Sequence, residues 1–476
     1  MKWFTLLICT LALVSCESLT EVSKIKTGGE VDGKLPDANK GQSNQTVNSW
    51  IYDNMRVFYL WGDNMPIKAN TKNSLTPDKY FASLLYQYGT TDRFSWIEED
   101  AEELNNSLSG ITKSSGFSYT PYLAASGSKN VFFAVRFAIK DSPAEAAGIK
   151  RGDLITKVNG IQIDTSNYRS ILSPDVLSLT FGEMGTAGVT STAKTVNVTK
   201  AVIQNFPVHF NKVLEVGNKK VGYLVYNQFI PGVSANPSQF DNELRTVFGK
   251  FKNEGVSELV LDLRYNGGGA ISSANILSSL IVKDLKPGTL MSKQIWSANA
   301  KLLLNVPESY YQSNWANEVN NLGSLQRVFV LTSNGTASAS ELVINNLKPF
   351  MDVIIIGENT YGKDVGSITI DDEDNNYRWK WGMQPIVLRT VNAVGEAKYG
   401  TKDGFAPNYR VVDNQIPFKA FGDEQETYLK VALDLIKGVS ASASARMGGG
   451  ALEFGGKGGF DNSRNNIQDM YWDIKQ

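Results

Sequence analysis

Segments typical of strands and helices alternate along the second half of the chain. The strand-like KKVGYLVYNQF precedes a helical SQFDNELRTVFGKFKNEG, and this precedes the strand-like SELVLDLRYNGGG. The same order returns in RVFVLTS, ASELVINNLKPF and DVIIIG. Such alternation indicates βαβ crossovers and a largely parallel or mixed sheet. Functional groups on these sheets gather at the carboxyl ends of the strands, where this chain has a glycine turn, a serine-rich turn and a lysine.

The serine-rich turn and the lysine suggest a particular chemistry. The turn is TASASE, from Thr336 to Glu341, and Lys363 follows the next apolar strand. Serine hydrolysis normally uses a histidine base, but the chain has only one histidine, His209. A lysine can replace it once burial lowers its pKa, and Ser-Lys pairs are a known variant of the triad. The combination predicts a serine protease with a Ser-Lys dyad.

Composition excludes several other classes of protein. The chain has 476 residues, which suggests about three domains, and 42% are hydrophobic, which is enough for large cores. The formal net charge of -1 provides no basic excess for a phosphate backbone, so we expect no nucleic-acid partner. No cluster of carboxylates or histidines predicts a metal site.

The first sixteen residues, MKWFTLLICTLALVSC, resemble a bacterial lipoprotein signal. One lysine precedes an apolar run too short to span a bilayer as a stable helix. In that resemblance the signal is cut before Cys16, which becomes acylated. The expected product is a cell-envelope protein, lipid-anchored to a bacterial membrane on its periplasmic side or at the cell surface. An ordinary secretory signal with an incidental cysteine remains the alternative.

A PDZ domain is suggested by DSPAEAAGIKRGDLITKVNG, from Asp141 to Gly160. Pro143 can open a short helix, and Asn159-Gly160 is a strong hairpin signal. The segment resembles the PDZ domains of bacterial envelope proteases, which bind peptides by adding a strand to a sheet edge. In such domains the loop for a peptide's terminal carboxylate falls where this chain has Gly116, Phe117 and Ser118. The alternative is a plain helix in an unrelated β domain.

Three motifs together resemble the tail-specific, or C-terminal processing, serine protease family. They are LDLRYNGGG (261–269), GTASASE (335–341) and GENTYGK (357–363). The likeness covers roughly residues 113 to 435. It implies that Ser338 is the nucleophile and Lys363 the general base, that no cofactor is needed, and that the core is an α/β fold with a mixed, ClpP/crotonase-like sheet.

The same resemblance points to the groups around the dyad. An oxyanion hole needs backbone N–H groups beside the nucleophile, and the candidates are Ala339 and one of the turn glycines Gly267, Gly268 and Gly269. Many family members carry a glutamine four residues after the lysine, thought to help orient it. This chain has Ser367 there, whose shorter hydroxyl can still hydrogen-bond an amine.

Each of these residues also has a structural interpretation. Ser338 to Glu341 satisfies the S-x-x-E capping box of an ordinary helix, and the neighbouring hydroxyls, Ser333, Thr336 and Ser340, are most simply turn or cap residues. Lys363 could be solvated at a strand end, or belong to a phosphate loop, although Asp364 stands where that loop needs Ser or Thr. For the strand residues Asp262 and Arg264 we favour a buried ion pair, and for His209 a non-catalytic role.

The expected organisation has six parts: a signal peptide at 1–16, a flexible tether at 17–43, a helical domain at 44–112, a PDZ domain at 113–203, a protease core at 204–438 and a Ser/Gly-rich tail at 439–476. The chain is expected to bind proteins with unstructured C-termini and to hydrolyse their peptide bonds. The alternatives are a catalytically silent, PDZ-containing scaffold lipoprotein and a nucleotide-binding protein.

Overall fold

The computed structural model describes residues 43–439, except 187, 376 and 414, together with residues 470–471. The expected signal peptide and its Cys16 lie outside the described residues, as does the tether apart from residue 43. Within the described part, no helix combines the length and the hydropathy that crossing a bilayer requires.

The α-helices of the described residues are these: α1 (Asn44–Phe58), α2 (Pro77–Leu84), α3 (Ala101–Leu108), α4 (Pro143–Ala146), α5 (Gln239–Glu254), α6 (Ile271–Ile281), α7 (Ala298–Leu304), α8 (Ala339–Leu347) and α9 (Thr427–Ile436). The strands are β1 (Trp96–Glu98), β2 (Ile111–Ser114), β3 (Phe117–Leu123), β4 (Val131–Ala138), β5 (Leu154–Val158), β6 (Ile161–Gln162), β7 (Val176–Gly185), β8 (Gly188–Thr199), β9 (Ala201–Gln204), β10 (Val208–Val216), β11 (Lys219–Tyr226), β12 (Glu258–Asp262), β13 (Gly269–Ala270), β14 (Leu290–Trp296), β15 (Gln312–Asn314), β16 (Arg327–Thr332), β17 (Asp352–Gly357), β18 (Val365–Ser367), β19 (Gly382–Gln384), β20 (Ile386–Asn392), β21 (Tyr409–Arg410) and β22 (Met470–Tyr471).

The N-terminal helices α1, α2 and α3 pack directly on the α/β portion. Buried side chains of α1 and α2, such as Met55 and Phe81, belong to the same apolar core as Leu261 and Leu342 of the α/β portion. Strand β1 also pairs with β19 from the far end of the chain. The expected N-terminal helical domain is present, and it shares its core with the α/β portion, because its amphipathic helices bury their apolar faces there.

The PDZ-like portion has a separate sheet and core. Its strands lie in the order β3-β4-β5-β7-β8, and β2 pairs antiparallel with β9 where the chain enters and leaves. The turn between β5 and β6 has positive φ at both Asn159 (51°) and Gly160 (77°), as a tight hairpin of this sequence requires. Helix α4 is capped by Ser142, whose hydroxyl accepts a hydrogen bond from the Glu145 N–H.

A mixed six-stranded sheet forms the centre of the α/β portion, in the order β10-β11-β12-β16-β17-β21. Only β10 is antiparallel to its neighbour, and the remaining pairs are parallel. This confirms the α/β fold with a mixed sheet. Parallel strands end at one edge, so the turns after β12, β16 and β17 lie side by side there.

A second six-stranded sheet lies beside this edge, in the order β13-β22-β18-β20-β14-β15. Its first strand, β13, continues from the glycine turn that follows β12, and β18 follows the Lys363 loop. The two residues of β22 pair with β13 on one side and with β18 on the other.

Candidate active site

Ser338 lies between β16 and α8 in an unusual backbone conformation. Its φ is 65° and its ψ is -116°. A positive φ is sparsely populated for residues other than glycine, and such strain is concentrated at functional sites. The Ser338 side chain is fully buried; it forms a capping box with Glu341 at the start of α8, but its Oγ makes no hydrogen bond of normal geometry. A strained turn between strand and helix is the geometry that projects a nucleophilic serine.

The other hydroxyls of this turn are engaged in holding it in place. Ser333 Oγ donates to the Arg264 carbonyl at 2.5 Å, and Thr336 Oγ1 donates to the Leu263 carbonyl at 2.8 Å. Ser340 Oγ donates to the Asn266 carbonyl at 3.0 Å. The three side chains therefore fix the serine turn against the turn after β12, which leaves Ser338 as the hydroxyl without a structural bond.

Glu341 joins the serine turn to the Lys363 loop. Its Oε2 accepts hydrogen bonds from the backbone N–H groups of Ser338 at 2.8 Å and Lys363 at 2.9 Å. Its Oε1 accepts from the Gly362 N–H at 2.8 Å and from Thr360 Oγ1 at 2.5 Å. Burial raises the pKa of Glu341 to about 7, against the lowering effect of these four donors. The S-x-x-E pattern indicated only a helix cap, so the sequence did not reveal this second role.

Lys363 lies in the loop between β17 and β18, six residues beyond the strand that we expected it to end. Its side chain is fully buried rather than solvated, and its Nζ is 4.9 Å from the centre of the Phe94 ring. Arg93 reaches the same loop and donates to the Gly362 carbonyl. The N-terminal segment therefore forms one wall around the lysine, a contribution that the sequence did not indicate.

The loop and the serine turn are also joined through the backbone. The Tyr361 N–H donates to the Thr336 carbonyl at 2.9 Å, and the Glu358 N–H donates to the Thr332 carbonyl at 3.1 Å. Ser338 Oγ makes no hydrogen bond to Lys363 Nζ, because it has no partner at all. Hydrogen bonds between catalytic groups often form only with substrate bound.

The glycine turn faces the serine turn through Asn266. The Asn266 carbonyl accepts from the Ala337 N–H at 3.2 Å. The Asn266 side chain accepts from the Gly268 N–H at 2.9 Å, which engages one of the candidate oxyanion donors. A Cβ on Gly269 would lie 2.1 Å from the Phe229 carbonyl oxygen, so only glycine fits at that position.

Three protein-family models match segments of this chain. Residues 220–411 match peptidase family S41, residues 46–96 match the peptidase S41 N-terminal domain, and residues 135–181 match a PDZ domain. This chain belongs to peptidase family S41.

Curated proteins of similar sequence carry protease names. A carboxyl-terminal-processing protease of Picosynechococcus is 29% identical over 62% of this chain and 64% of its own length. A probable CtpA-like serine protease of Staphylococcus epidermidis is 24% identical over 61% of this chain and 58% of its own. The chain thus spans less than two thirds of the length of either protein. A crystal structure of a putative S41 protease from Bacteroides fragilis is 26% identical, with a TM-score of 0.69 over 86% of this chain and 100% of that one.

Ser367 of this S41 domain lies next to a glutamine from elsewhere in the sequence. Gln384, on β19, is fully buried. In the orientation that satisfies its hydrogen bonds, its Nε2 donates to Ser367 Oγ at 2.7 Å and its Oε1 accepts from Thr369 Oγ1 at 2.5 Å. A side-chain amide is therefore present beside position 367, although the residue there is serine.

Asp262 and Arg264 of the S41 core form the buried ion pair that we favoured. Arg264 Nη2 is 2.7 Å from Asp262 Oδ2, and its Nη1 is 2.7 Å from Glu426 Oε1. Arg151 of the PDZ-like portion joins this cluster, with its Nη2 3.3 Å from Glu426 Oε1. Burial raises the pKa of the neighbouring Asp413 to about 6. The cluster fastens the PDZ-like portion to the protease core.

The candidate peptide-binding residues are not part of the Ser338 site. Phe117 and Ser118 begin β3, the edge strand of the PDZ sheet, and Gly116 directly precedes it. Phe117 is fully buried in the PDZ core, and the Gly116 N–H donates to Ser114 Oγ at 3.0 Å. His209 lies elsewhere: it packs between the rings of Phe137 and Phe421, and burial lowers its pKa to about 4.

Proposed function

We propose that this chain is a serine-type endopeptidase in which Ser338 is the nucleophile and Lys363 the general base. The observation that carries the proposal is the Ser338 turn, which is strained, buried and tied through Glu341 to the lysine loop, while its hydroxyl has no bond of its own. Ser338 and Glu341 form the capping box of α8, yet Ser338 Oγ makes no hydrogen bond of normal geometry, so the cap leaves the hydroxyl available for reaction.

The proposed reaction is acyl transfer in two stages. Neutral Lys363 takes the hydroxyl proton as Ser338 Oγ attacks the scissile carbonyl, and it returns that proton to the leaving amine as the C–N bond breaks. Water then attacks the acyl carbonyl while the lysine takes its proton, the bond from the acyl carbon to Ser338 Oγ breaks, the new C-terminal acid leaves, and the lysine returns the proton to Ser338 Oγ. Burial of Lys363 suits this role, because desolvation favours the neutral amine.

The oxyanion is expected to form between the serine turn and the glycine turn. The Ala339 N–H stands at the start of α8, where the helix dipole also favours negative charge. The second donor comes from Gly267 or Gly269, because the Gly268 N–H is already bound to Asn266.

The proposal is tested by cleavage of an unfolded reporter protein with an apolar C-terminal tail. Wild type should cleave it, whereas Ser338→Ala and Lys363→Ala should lose activity by a factor of about 10³ or more. The exposed residues Ser309 and Lys402 provide matched controls, and Ser309→Ala and Lys402→Ala should cleave normally. Wild type that binds the reporter without cutting it, and that a fluorophosphonate serine probe does not label, would support the silent scaffold instead.

The proposed substrates are proteins captured by their C-termini at the PDZ-like portion. Strand β3 is at the edge of its sheet, where an extended peptide can add as a further strand, with its carboxylate at Gly116 to Ser118. A peptide with a free, apolar C-terminus should therefore bind the Ser338→Ala variant, and the same peptide amidated at its C-terminus should bind much more weakly. Equal binding of the two peptides would rule out the proposed carboxylate-binding site.

Location in the cell envelope is part of the proposal. The sequence up to Cys16 supports a lipid anchor, because its pattern resembles a lipobox. In cells, wild type should fractionate with membranes, and Cys16→Ser should not carry the acyl chains. Cys9→Ser is the matched control, since the proposed cut removes residue 9. Membrane association that is unchanged in Cys16→Ser would count against the anchor.

A further inference from the structure

Two residues from the C-terminal part of the chain lie against the proposed catalytic machinery. Met470 and Tyr471 form β22, which runs parallel to β13 with Met470 opposite Gly269 and Tyr471 opposite Ala270. On its other side, Tyr471 lies opposite Ser367 of β18. Strand β22 is therefore flanked by the glycine turn, which is expected to hold the oxyanion, and by the strand that follows Lys363.

Both the backbone and the side chains of this segment fit the groove between β13 and β18. Ser367 Oγ donates to the Met470 carbonyl at 3.3 Å. The Met470 side chain is fully buried in the main apolar core. Tyr471 remains partly exposed, and its hydroxyl donates to the Leu108 carbonyl at 3.5 Å. A groove that pairs with a peptide backbone and buries one side chain has the properties of a peptide-binding site that works by strand addition.

The site is closed in this arrangement of the chain. Ser338 and Lys363 have no exposed surface, so no substrate could reach them in this arrangement. Strand β13 has its other edge occupied as well, because the Ala270 N–H donates to the Phe229 carbonyl at 2.9 Å. The edge that β22 covers is thus the one left for an incoming peptide strand.

We propose that the groove between β13 and β18 binds extended substrates as a parallel strand, and that residues 470 and 471 of this chain occupy it as an intramolecular competitor. The groove accepts a long, flexible apolar side chain such as methionine, followed by an aromatic residue with a polar tip. This proposal rests on the proposed function, because it assigns the substrate-binding strand of the same site.

Tethering makes such competition effective even if the segment binds weakly. Residues 470 and 471 belong to the same chain as the groove, and an intramolecular segment can have an effective concentration of about 1 mM. A segment with an intrinsic Kd of about 0.1 mM would then occupy the groove about ten times as often as it leaves it vacant. Substrate would have to displace it, so the KM would rise by about tenfold while kcat stayed the same.

The kinetic test replaces the buried Met470 by a charged residue in the full chain. Met470→Asp should lower the KM for the unfolded reporter by about tenfold without changing kcat, because a carboxylate is disfavoured in an apolar pocket. Met447→Asp is the matched substitution elsewhere in the C-terminal part of the sequence and should leave KM unchanged. Tyr471→Ala, a milder change, should shift KM in the same direction as Met470→Asp. A KM that stays at the wild-type value in both Met470→Asp and Tyr471→Ala would overturn the proposal.

A binding measurement tests, independently of catalysis, whether the groove binds the C-terminal segment. A labelled peptide spanning residues 466–475 should bind the full chain carrying both Ser338→Ala and Met470→Asp, and the same peptide with aspartate at position 470 should bind at least tenfold more weakly. If no variant cleaves any reporter, the proposed function fails, yet this binding would still establish the groove. If wild type cleaves but neither peptide binds, the tail proposal alone fails.

Discussion

The role of Glu341 gives the sharpest prediction, and the perturbation is Glu341→Gln. The carboxylate accepts four hydrogen bonds, three of them from backbone N–H groups of the Ser338 turn and the Lys363 loop, which carry the proposed dyad. A glutamine has only one accepting oxygen, and its NH₂ group must face the donors of the other oxygen. With the amide nitrogen at the Oε1 position, the Gly362 N–H is left without a partner. With the amide nitrogen at the Oε2 position, the N–H groups of both Ser338 and Lys363 are left without a partner.

The magnitudes predict a folded protein with a poorly positioned dyad. One buried, unsatisfied donor costs roughly 1–3 kcal/mol. Above pH 7 the substitution also removes a buried charge, since the pKa of Glu341 is raised to about 7 from an ordinary value of 4.5, a cost of about 3 kcal/mol. The two terms offset, so stability at pH 8 should change by less than about 2 kcal/mol. Activity should fall about 100-fold, because a displacement of about 1 Å between reacting groups costs that much.

The assay compares kcat/KM for the unfolded reporter at pH 8 with the free energy of unfolding from urea titration. Glu424→Gln, at an exposed position, is the matched control and should change neither quantity. If Glu341→Gln kept wild-type kcat/KM while Ser338→Ala was inactive, Glu341 would be only a helix cap and the reasoning would be refuted. A loss of activity matched by a loss of stability above about 4 kcal/mol would also refute the positioning role.

Three further predictions follow from the same contacts. Because the pKa of Glu341 is raised in the folded state, wild type should lose up to about 3 kcal/mol of stability relative to Glu341→Gln as pH rises from about 4.5 to about 7. The measurement is the free energy of unfolding from urea titrations at several pH values, and the same pH dependence in both proteins would contradict this prediction. Ser367→Ala should lower the acylation rate, followed by burst kinetics, less than Lys363→Ala does, and equal losses would show that Ser367 does more than orient the lysine. Arg264→Met should lower the free energy of unfolding by roughly 3–5 kcal/mol in thermal or urea unfolding, because it leaves buried carboxylates unpaired. Lys301→Met, at a partly exposed pair, should lower it by less than about 1 kcal/mol. Similar losses in the two variants would refute the importance of the cluster.

Local sequence patterns predicted the fold class and the site motifs because their physical causes are local. The alternating strand and helix periods of the second half became β11, α5, β12, β16, α8 and β17. Backbone hydrogen bonding and side-chain periodicity act over a few residues, so a short sequence window contains their signal. The order of the glycine, serine and lysine turns then followed from the rule that parallel strands end at one edge.

The sequence by itself thus determined the α/β class and the residue types of the proposed dyad. The tertiary structure alone showed that Glu341 links the Ser338 turn to the Lys363 loop, that Gln384 lies beside Ser367, and that Met470 lies opposite Gly269. It also showed that the N-terminal helices share the core of the protease instead of forming their own. These contacts join positions up to hundreds of residues apart, and they depend on how the whole chain packs its apolar surfaces, which no local pattern encodes.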